Sequence, residues 1–275
     1  MEAEKATSLR RGVEILLALA DDEALANGGL GVVRLAQLLD SDKSRVSRTL
    51  RTLQEYDLVQ RDPVTLAYRA GWRLYTLAQR VGDAQMLGAA PALMEQLVRE
   101  FDESAHLTVL TGARVLTLLS RASERGVTAA GWVGRTVPAH CTASGRALLL
   151  EHDREALQRV YEDTELERPG PNAPADLDEL HRRIETARTK GYAAVVDESE
   201  RGLVAVAAPV RDYRGFIVAA LNISAPAFRF EGQLAAAGQR IRTVADELSR
   251  AVGWPPEAAT AGRSTSSHRV QLRRP

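Results

Sequence analysis

The chain holds one cysteine, Cys141, in 275 residues. Disulfides within the chain are therefore excluded, and so is a cysteine-rich metal site. Excess charge is missing too: 36 basic residues balance 36 acidic ones, for a formal net charge of zero. Such a chain is no general polyanion binder, and any contact with nucleic acid has to come from a local patch. No apolar run is long enough to span a bilayer, and no signal-peptide cleavage pattern follows the charged start MEAEKATSLRRG. A cytoplasmic protein with no membrane partner is expected. There is no phosphate-binding P-loop and no GxGxxG after a strand. His106, His140, His152, His181 and His268 are scattered without ligand spacing, so neither a metal nor another cofactor is expected.

What is present is enough for one large domain or two ordinary ones, with 45% hydrophobic residues to build a core. The most informative stretch covers residues 31–70, GVVRLAQLLDSDKSRVSRTLRTLQEYDLVQRDPVTLAYRA. A short helical pattern leads to a polar turn at Asp40-Ser41-Asp42, where Asp40 can take a left-handed conformation at modest cost. A second helical pattern, residues 43–55, places Val46, Leu50 and Leu53 on one face and Ser44, Ser47, Arg48 and Arg51 on the other. Lys43 and Arg45 add basic charge near its start, and Ser41 is the expected N-cap. Residues 58–61 and 66–69 then pair as a hairpin around Asp62-Pro63. Two short helices, the second basic, followed by a hairpin, is the layout of a winged helix-turn-helix. Arginine reads a guanine edge or grips a phosphate, and serine bonds either. Double-stranded DNA is thus the first candidate partner, with Lys43, Ser44, Arg45, Ser47, Arg48 and Arg51 as contacts. An ordinary amphipathic surface helix would show the same face; the flanking helix and hairpin favour DNA.

Elsewhere, Leu9, Val13, Leu16 and Ala20 recur at helical spacing, and residues 21–29 read as a loop. Residues 71–90 read as a helical connector. A helix over 91–101 is expected with Pro91 in its first turn. Strands over 106–110 and 115–120, a helix over 142–150 and a helix over 175–190 stopping at Gly191 follow. An antiparallel pair over 203–211 and 216–224 and a closing helix over 231–251 complete the pattern. The mixture implies an α+β second domain with an antiparallel sheet. Residues beyond 254, Pro-, Ala- and Ser-rich and then basic, read as disordered, with a DNA-touching tail as the alternative.

The chain resembles the isocitrate-lyase-regulator (IclR) family of bacterial transcription regulators over residues 8–251. The segments that carry the resemblance are SLRRGVEILLALA at 8–20, DKSRVSRTLRTL at 42–53, YRAG at 68–71, HCTASGRALL at 140–149, GYAAVVDESERGLVAVAAPVRD at 191–212 and AALNISAP at 219–226. The resemblance implies a winged helix-turn-helix at 1–70, a helical linker at 71–90, a GAF-like α/β effector-binding domain at 91–252, and a basic tail at 253–275. It also implies homodimers, often paired into tetramers. Family pockets for small acids use positions that fall here on Ala143, Ser144, Val195, Leu203, Ala205, Asn222 and Ser224, with Ala129 and Val137 on the wall. The aspartate common in the family is Val195 here, and a cysteine is Ala205. A small keto-acid needs several paired hydrogen bonds. The loss of polar reach therefore implies a larger, partly apolar or aromatic effector that is carboxylate-like or amide-like. Ser144, Asn222, Ser224 and the backbone N–H groups near Ser144 would hold its polar end.

His140 beside Cys141 suggests a nucleophile, but sequence neighbours rarely face each other and no third group is identifiable. His140 reads as a structural or pocket residue and Cys141 as a buried small one. Residues 142–145 lack the glycine-flanked serine of a nucleophile elbow. Asp197, Glu198 and Glu200 read as a solvated loop, although paired carboxylates can do acid–base work. The chain is accordingly read as a ligand-responsive regulator of a catabolic operon, acting as a repressor, and not as an enzyme. An enzyme domain with an appended helix-turn-helix lacks a catalytic constellation. A constitutive architectural protein fits neither the neutral charge nor the large second domain.

Overall fold

The computed structural model describes residues 2–78, 84–123 and 132–255, with the backbone alone for 2–7 and 78. Ala129 and the tail beyond Pro255 lie outside the described residues. The chain divides into two compact units, residues 1–88 with 127–135 and residues 89–126 with 136–275. No helix of the described residues is long and apolar enough to cross a membrane.

The first unit opens with α1 (Glu2–Ala18), α2 (Asp22–Ala26), α3 (Val32–Leu38) and α4 (Lys43–Glu55). It continues with the hairpin β1 (Val59–Arg61) and β2 (Tyr68–Ala70), then α5 (Trp72–Ala78) and the start of α6 (Ala84–Phe101). Ile15, Leu19, Leu35, Val46, Leu50, Val59 and Tyr68 form its core. Gly12 and Ile15 of α1, and Leu19 just beyond it, are thus the buried positions, while Leu9 is 73% and Val13 48% exposed, contrary to the expected stripe. Gly12 lies against α4, where an added Cβ would stand 3.8 Å from the Thr49 methyl group. The expected loop over 21–29 contains α2, whose first N–H is accepted by Asp21. Asp40 is left-handed as expected, with φ 42°.

The N-cap of α4 is Asp42, not Ser41, and no side chain caps it. The Ser41 N–H is already used in closing α3, donating to the Ala36 carbonyl. In the wing, Val59 pairs with Ala70 and Arg61 with Tyr68, so the second strand begins later than expected. The Asp62 carboxylate accepts from the N–H groups of Val64 and Thr65, and Leu66 takes φ 60°. Gly71 closes the hairpin because a Cβ there would stand 2.1 Å from the Asp57 carbonyl oxygen. Helix α6 starts well before Pro91, which lies in its interior rather than its first turn. A proline there removes one backbone bond; the small residues Gly88, Ala89 and Ala90 precede it.

The second unit is a six-stranded sheet in the order β5-β4-β3-β8-β7-β6, antiparallel throughout. Its elements are β3 (Ser104–Thr111), β4 (Arg114–Arg121), β5 (Thr136–Pro138), α7 (Ala143–Leu148), α8 (Arg154–Val160) and α9 (Leu177–Lys190). They continue with β6 (Ala193–Val196), β7 (Leu203–Arg211), β8 (Ile217–Pro226), α10 (Ala227–Phe230) and α11 (Leu234–Ala251). The elements β5, β6, α8 and α10 go beyond those expected from sequence. The closing helix begins at Leu234 after a 3-10 turn at Glu231–Gln233. Gly191 ends α9 with φ 77°, as expected. Helices α7 and α9 pack with Val195, Ala205, Ala207 and Ala220 on one side of the sheet. Helix α11 buries Ile241, Val244, Ala245 and Leu248 and packs on β7 and β8.

Candidate DNA-reading face and effector pocket

Helix α4 buries Val46 and Leu50 and leaves Lys43, Ser44, Arg48 and Arg51 exposed, with Ser47 half-buried. Among the described residues Lys43, Arg48 and Arg51 form no ion pair, whereas Arg45 stands 3.3 Å from the Asp42 carboxylate. Three of the four expected cations are therefore available to an outside anion, and Arg45 is shared. A groove beside the start of α4 is lined by Lys43 and Arg45 together with Arg10 and Arg11 of α1. From sequence alone Arg10 and Arg11 belong to the outer side of a supporting helix; only the packing of α1 on α4 brings them to the basic patch.

The second site forms on the α7 side of the sheet. Thr142 caps α7, accepting from the Gly145 N–H at 3.1 Å and donating to the Pro138 carbonyl at 3.2 Å. Gly145 is required here, since a Cβ would lie 2.0 Å from the Ala139 carbonyl oxygen. This close approach sets Ser144 over the sheet. Val195 of β6 pairs with Ala205 of β7, which pairs with Ser224 of β8. The next row holds Ala207, Asn222 and His106. Asn222 Nδ2 donates to Ser144 Oγ at 2.9 Å, while Asn222 Oδ1 is buried without a hydrogen-bond partner. Whichever way the amide is turned, one of its polar atoms is unmatched. Leu203 is half-buried on the same strand face, two residues from Ala205. Val137 lies on β5 and packs at the edge of the same apolar cluster.

His106 joins the candidate site residues expected from sequence. Its Nε2 lies 3.3 Å from Ser224 Oγ, and burial depresses its pKa to about 4, so the ring is neutral at physiological pH. No sequence signal marks it, because its neighbours are set by strand register.

Glu198 corrects the expected solvated loop. It is 5% exposed and pairs with Arg146, and with Arg183 at 2.9 Å. Burial of its carboxylate is made tolerable by two guanidinium partners. Cys141 is fully buried, and desolvation, followed by the nearby Glu198 charge, pushes its thiol up to about 11. His140 Nε2 meets the Glu167 carbonyl oxygen at 2.6 Å. This histidine and thiol do not form a nucleophile–base pair.

Comparison with known proteins agrees with both halves. A family model for the "Bacterial transcriptional regulator IclR C-terminal" matches residues 78–250, and one for the "IclR helix-turn-helix domain" matches residues 8–63. The transcriptional repressor AllR of Salmonella typhimurium is 28% identical over 92% of this chain and 93% of its own length. The transcriptional regulator KdgR of Escherichia coli is 26% identical over 92% and 95%. The crystal structure of an IclR homologue from Microbacterium hydrocarbonoxydans, complexed with 4-hydroxybenzoate, shares the fold. It aligns with TM-score 0.73 at 23% identity, covering 89% of this chain and 98% of that one.

Proposed function

This chain belongs to the IclR family of bacterial transcriptional regulators, and we propose that it represses a catabolic operon in the cytoplasm under control of an organic effector. The DNA-reading part is assigned to residues 1–70, the linker to 71–90 and the effector domain to 91–252. Lys43, Ser44, Arg45, Ser47, Arg48 and Arg51 contact the operator, with Arg10 and Arg11 reaching phosphates beside them. The chain works as a homo-oligomer, whose paired heads meet major-groove faces about 34 Å apart or a multiple of it. Effector binding shifts operator affinity through a coupling of about 1–3 kcal/mol. No turnover of the effector is expected.

The observation that carries the effector reading is the Ser144–Asn222 pair with its unmatched amide atom. A buried polar atom without a partner is costly, and a ligand group of complementary sense removes that cost. Ser224 and neutral His106 extend the polar end, and Val195, Leu203 and Ala205 give an apolar wall. This favours a partly apolar, carboxylate-like or amide-like molecule, with aromatic acids first among them. The homologue from Microbacterium binds 4-hydroxybenzoate, a molecule of that class. Calorimetry with benzoate and 4-hydroxybenzoate on the full chain, Ser144→Ala and Asn222→Ala tests the assignment. The variants should bind about tenfold or more weakly; equal affinity in all three rules the assignment out.

A further inference from the structure

We propose that the second unit carries another ligand site, lined by Arg188, Arg211, Arg214 and Arg242, for a small molecule bearing a carboxylate or phosphate group. These side chains converge on a cavity of about 650 Å3, a size that suits a small organic ligand. It lies around the far end of β7, bounded by the segment after α7, the end of α9, the β7–β8 turn and α11, with Trp254 on one wall. It shares no lining residue with the Ser144–Asn222 site.

Three of the guanidinium groups are held in place by the protein itself. Arg188 donates from Nε to the Leu150 carbonyl at 2.7 Å and from Nη2 to the His152 carbonyl at 3.3 Å, and also pairs with Glu185. Arg211 donates to the Gly215 carbonyl at 2.7 Å and pairs with Glu151. Arg214 is fixed by Asp212, which also accepts the Arg214 and Phe216 N–H groups and so shapes the turn. The fourth, Arg242, makes one hydrogen bond, to the Lys190 carbonyl at 3.3 Å, and among the described residues it has no carboxylate at ion-pair distance. Glu151, Asp153 and Asp246 are the acids of the lining. Glu151 is taken by Arg211, and Asp153 accepts the Ala156 N–H as the cap of α8. Asp246 makes no ion pair among the described residues, although the charges of Arg242, Arg250 and Arg211 act on its carboxyl and oppose the rise that burial causes. The cavity thus holds four guanidinium groups against three carboxyl groups, and among the described residues Arg242 alone of the four has no carboxylate at ion-pair distance. Guanidinium forks match the oxygens of carboxylate and phosphate in bidentate geometry, and fixing them beforehand lowers the cost of binding. The indole of Trp254 offers an apolar face to the remainder of an organic acid.

Calorimetry on the full chain at fixed ionic strength tests this, with inorganic phosphate and succinate, a small polar acid that the apolar-walled Ser144–Asn222 site does not suit, as separate probes. The expected result is saturable binding of at least one probe that weakens about tenfold or more in Arg242→Ala and in Arg188→Ala. Arg242→Lys should recover part of it, and Ser144→Ala should leave it unchanged. Arg242 is on the exposed side of α11, so its replacement leaves the core intact. Phosphate binding alone identifies an inorganic or phosphoryl ligand, and succinate binding alone an organic acid; either supports the site. No saturable binding of either probe overturns the proposal. So does binding that Arg242→Ala leaves untouched or that Ser144→Ala abolishes.

Discussion

Asn222 Nδ2 and Ser144 Oγ stand 2.9 Å apart, joining β8 to the first turn of α7 across 78 positions of sequence. The bond satisfies one amide atom of Asn222 and leaves the other buried and unmatched. Folding therefore leaves a buried polar atom in the second unit with no hydrogen-bond partner among the described residues.

Removing the hydroxyl worsens that imbalance. Ser144→Ala should cost roughly 1–3 kcal/mol of unfolding free energy, because the Asn222 amide then loses the hydroxyl that accepts from it. Adding Asn222→Leu should cost less than the sum of the two single changes, since the pair is coupled. Urea titration of the two single variants and the double variant measures the difference.

Glu198 is the buried centre of an arrangement with Arg146 and Arg183. Glu198→Gln should destabilise by about 3–5 kcal/mol, as expected when one partner of a buried ion pair loses its charge. Glu200→Gln, in the same acidic run but exposed, should change stability by less than about 0.5 kcal/mol. Denaturant midpoints of the two variants check this contrast.

His106 gives a pH signature. The unfolded imidazole takes up a proton near its ordinary 6.5, but the folded one only near about 4. Between these values the unfolded state binds more protons, so the contribution of His106 to stability is complete above 6.5 and declines as pH falls toward 4. His106→Gln removes the titrating group and should flatten the fall in urea midpoint across that window.

Cys141 should resist alkylation. Its thiol is fully buried and pushed up to about 11, and the thiolate is the reactive species. Iodoacetamide at neutral pH should label the native chain far more slowly than the chain in denaturant, as read by mass spectrometry.

On the proposed DNA face, substitutions should separate base reading from phosphate gripping. Arg48→Ala should cost roughly 1–3 kcal/mol on the operator and relax base preference. Lys43→Ala and Arg11→Ala should weaken all sequences alike and reduce the salt slope by about one each. Retained specificity in Arg48→Ala would move base reading to Ser44, Arg45 or Ser47. Operator titrations over a range of salt concentrations resolve these outcomes.

The DNA-reading helix is legible because its pattern is local: Val46 and Leu50 face inward and Lys43, Arg48 and Arg51 outward on one short segment. The face of α1 is not, because Leu9, Val13 and Leu16 look as apolar as Ile15 and Leu19. Contact with α4 decides between them. Proline's usual place in a first turn misplaces the start of α6, which the chain continues through Pro91. In the second unit the long strands and Gly191 are readable, while the short strands β5 and β6 carry too few residues for a period. The positions Ser144, Asn222 and Ser224 come from the family resemblance, and the register then gathers them. His106 meets Ser224 across 118 positions, and Glu198 meets Arg146 across 52. Such pairings exist only once the sheet is assembled.

Operator selectivity under effector control is tested most directly by fluorescence anisotropy with the full chain. The protein would be titrated onto DNA from upstream of its own gene and its neighbours, and onto scrambled DNA, at fixed physiological salt. The expected result is a selective complex, tighter than on scrambled DNA by about a thousandfold or more, which an aromatic or aliphatic acid shifts by about one to two orders of magnitude. Equal affinity for operator and scrambled DNA, with and without candidate acids, would contradict it.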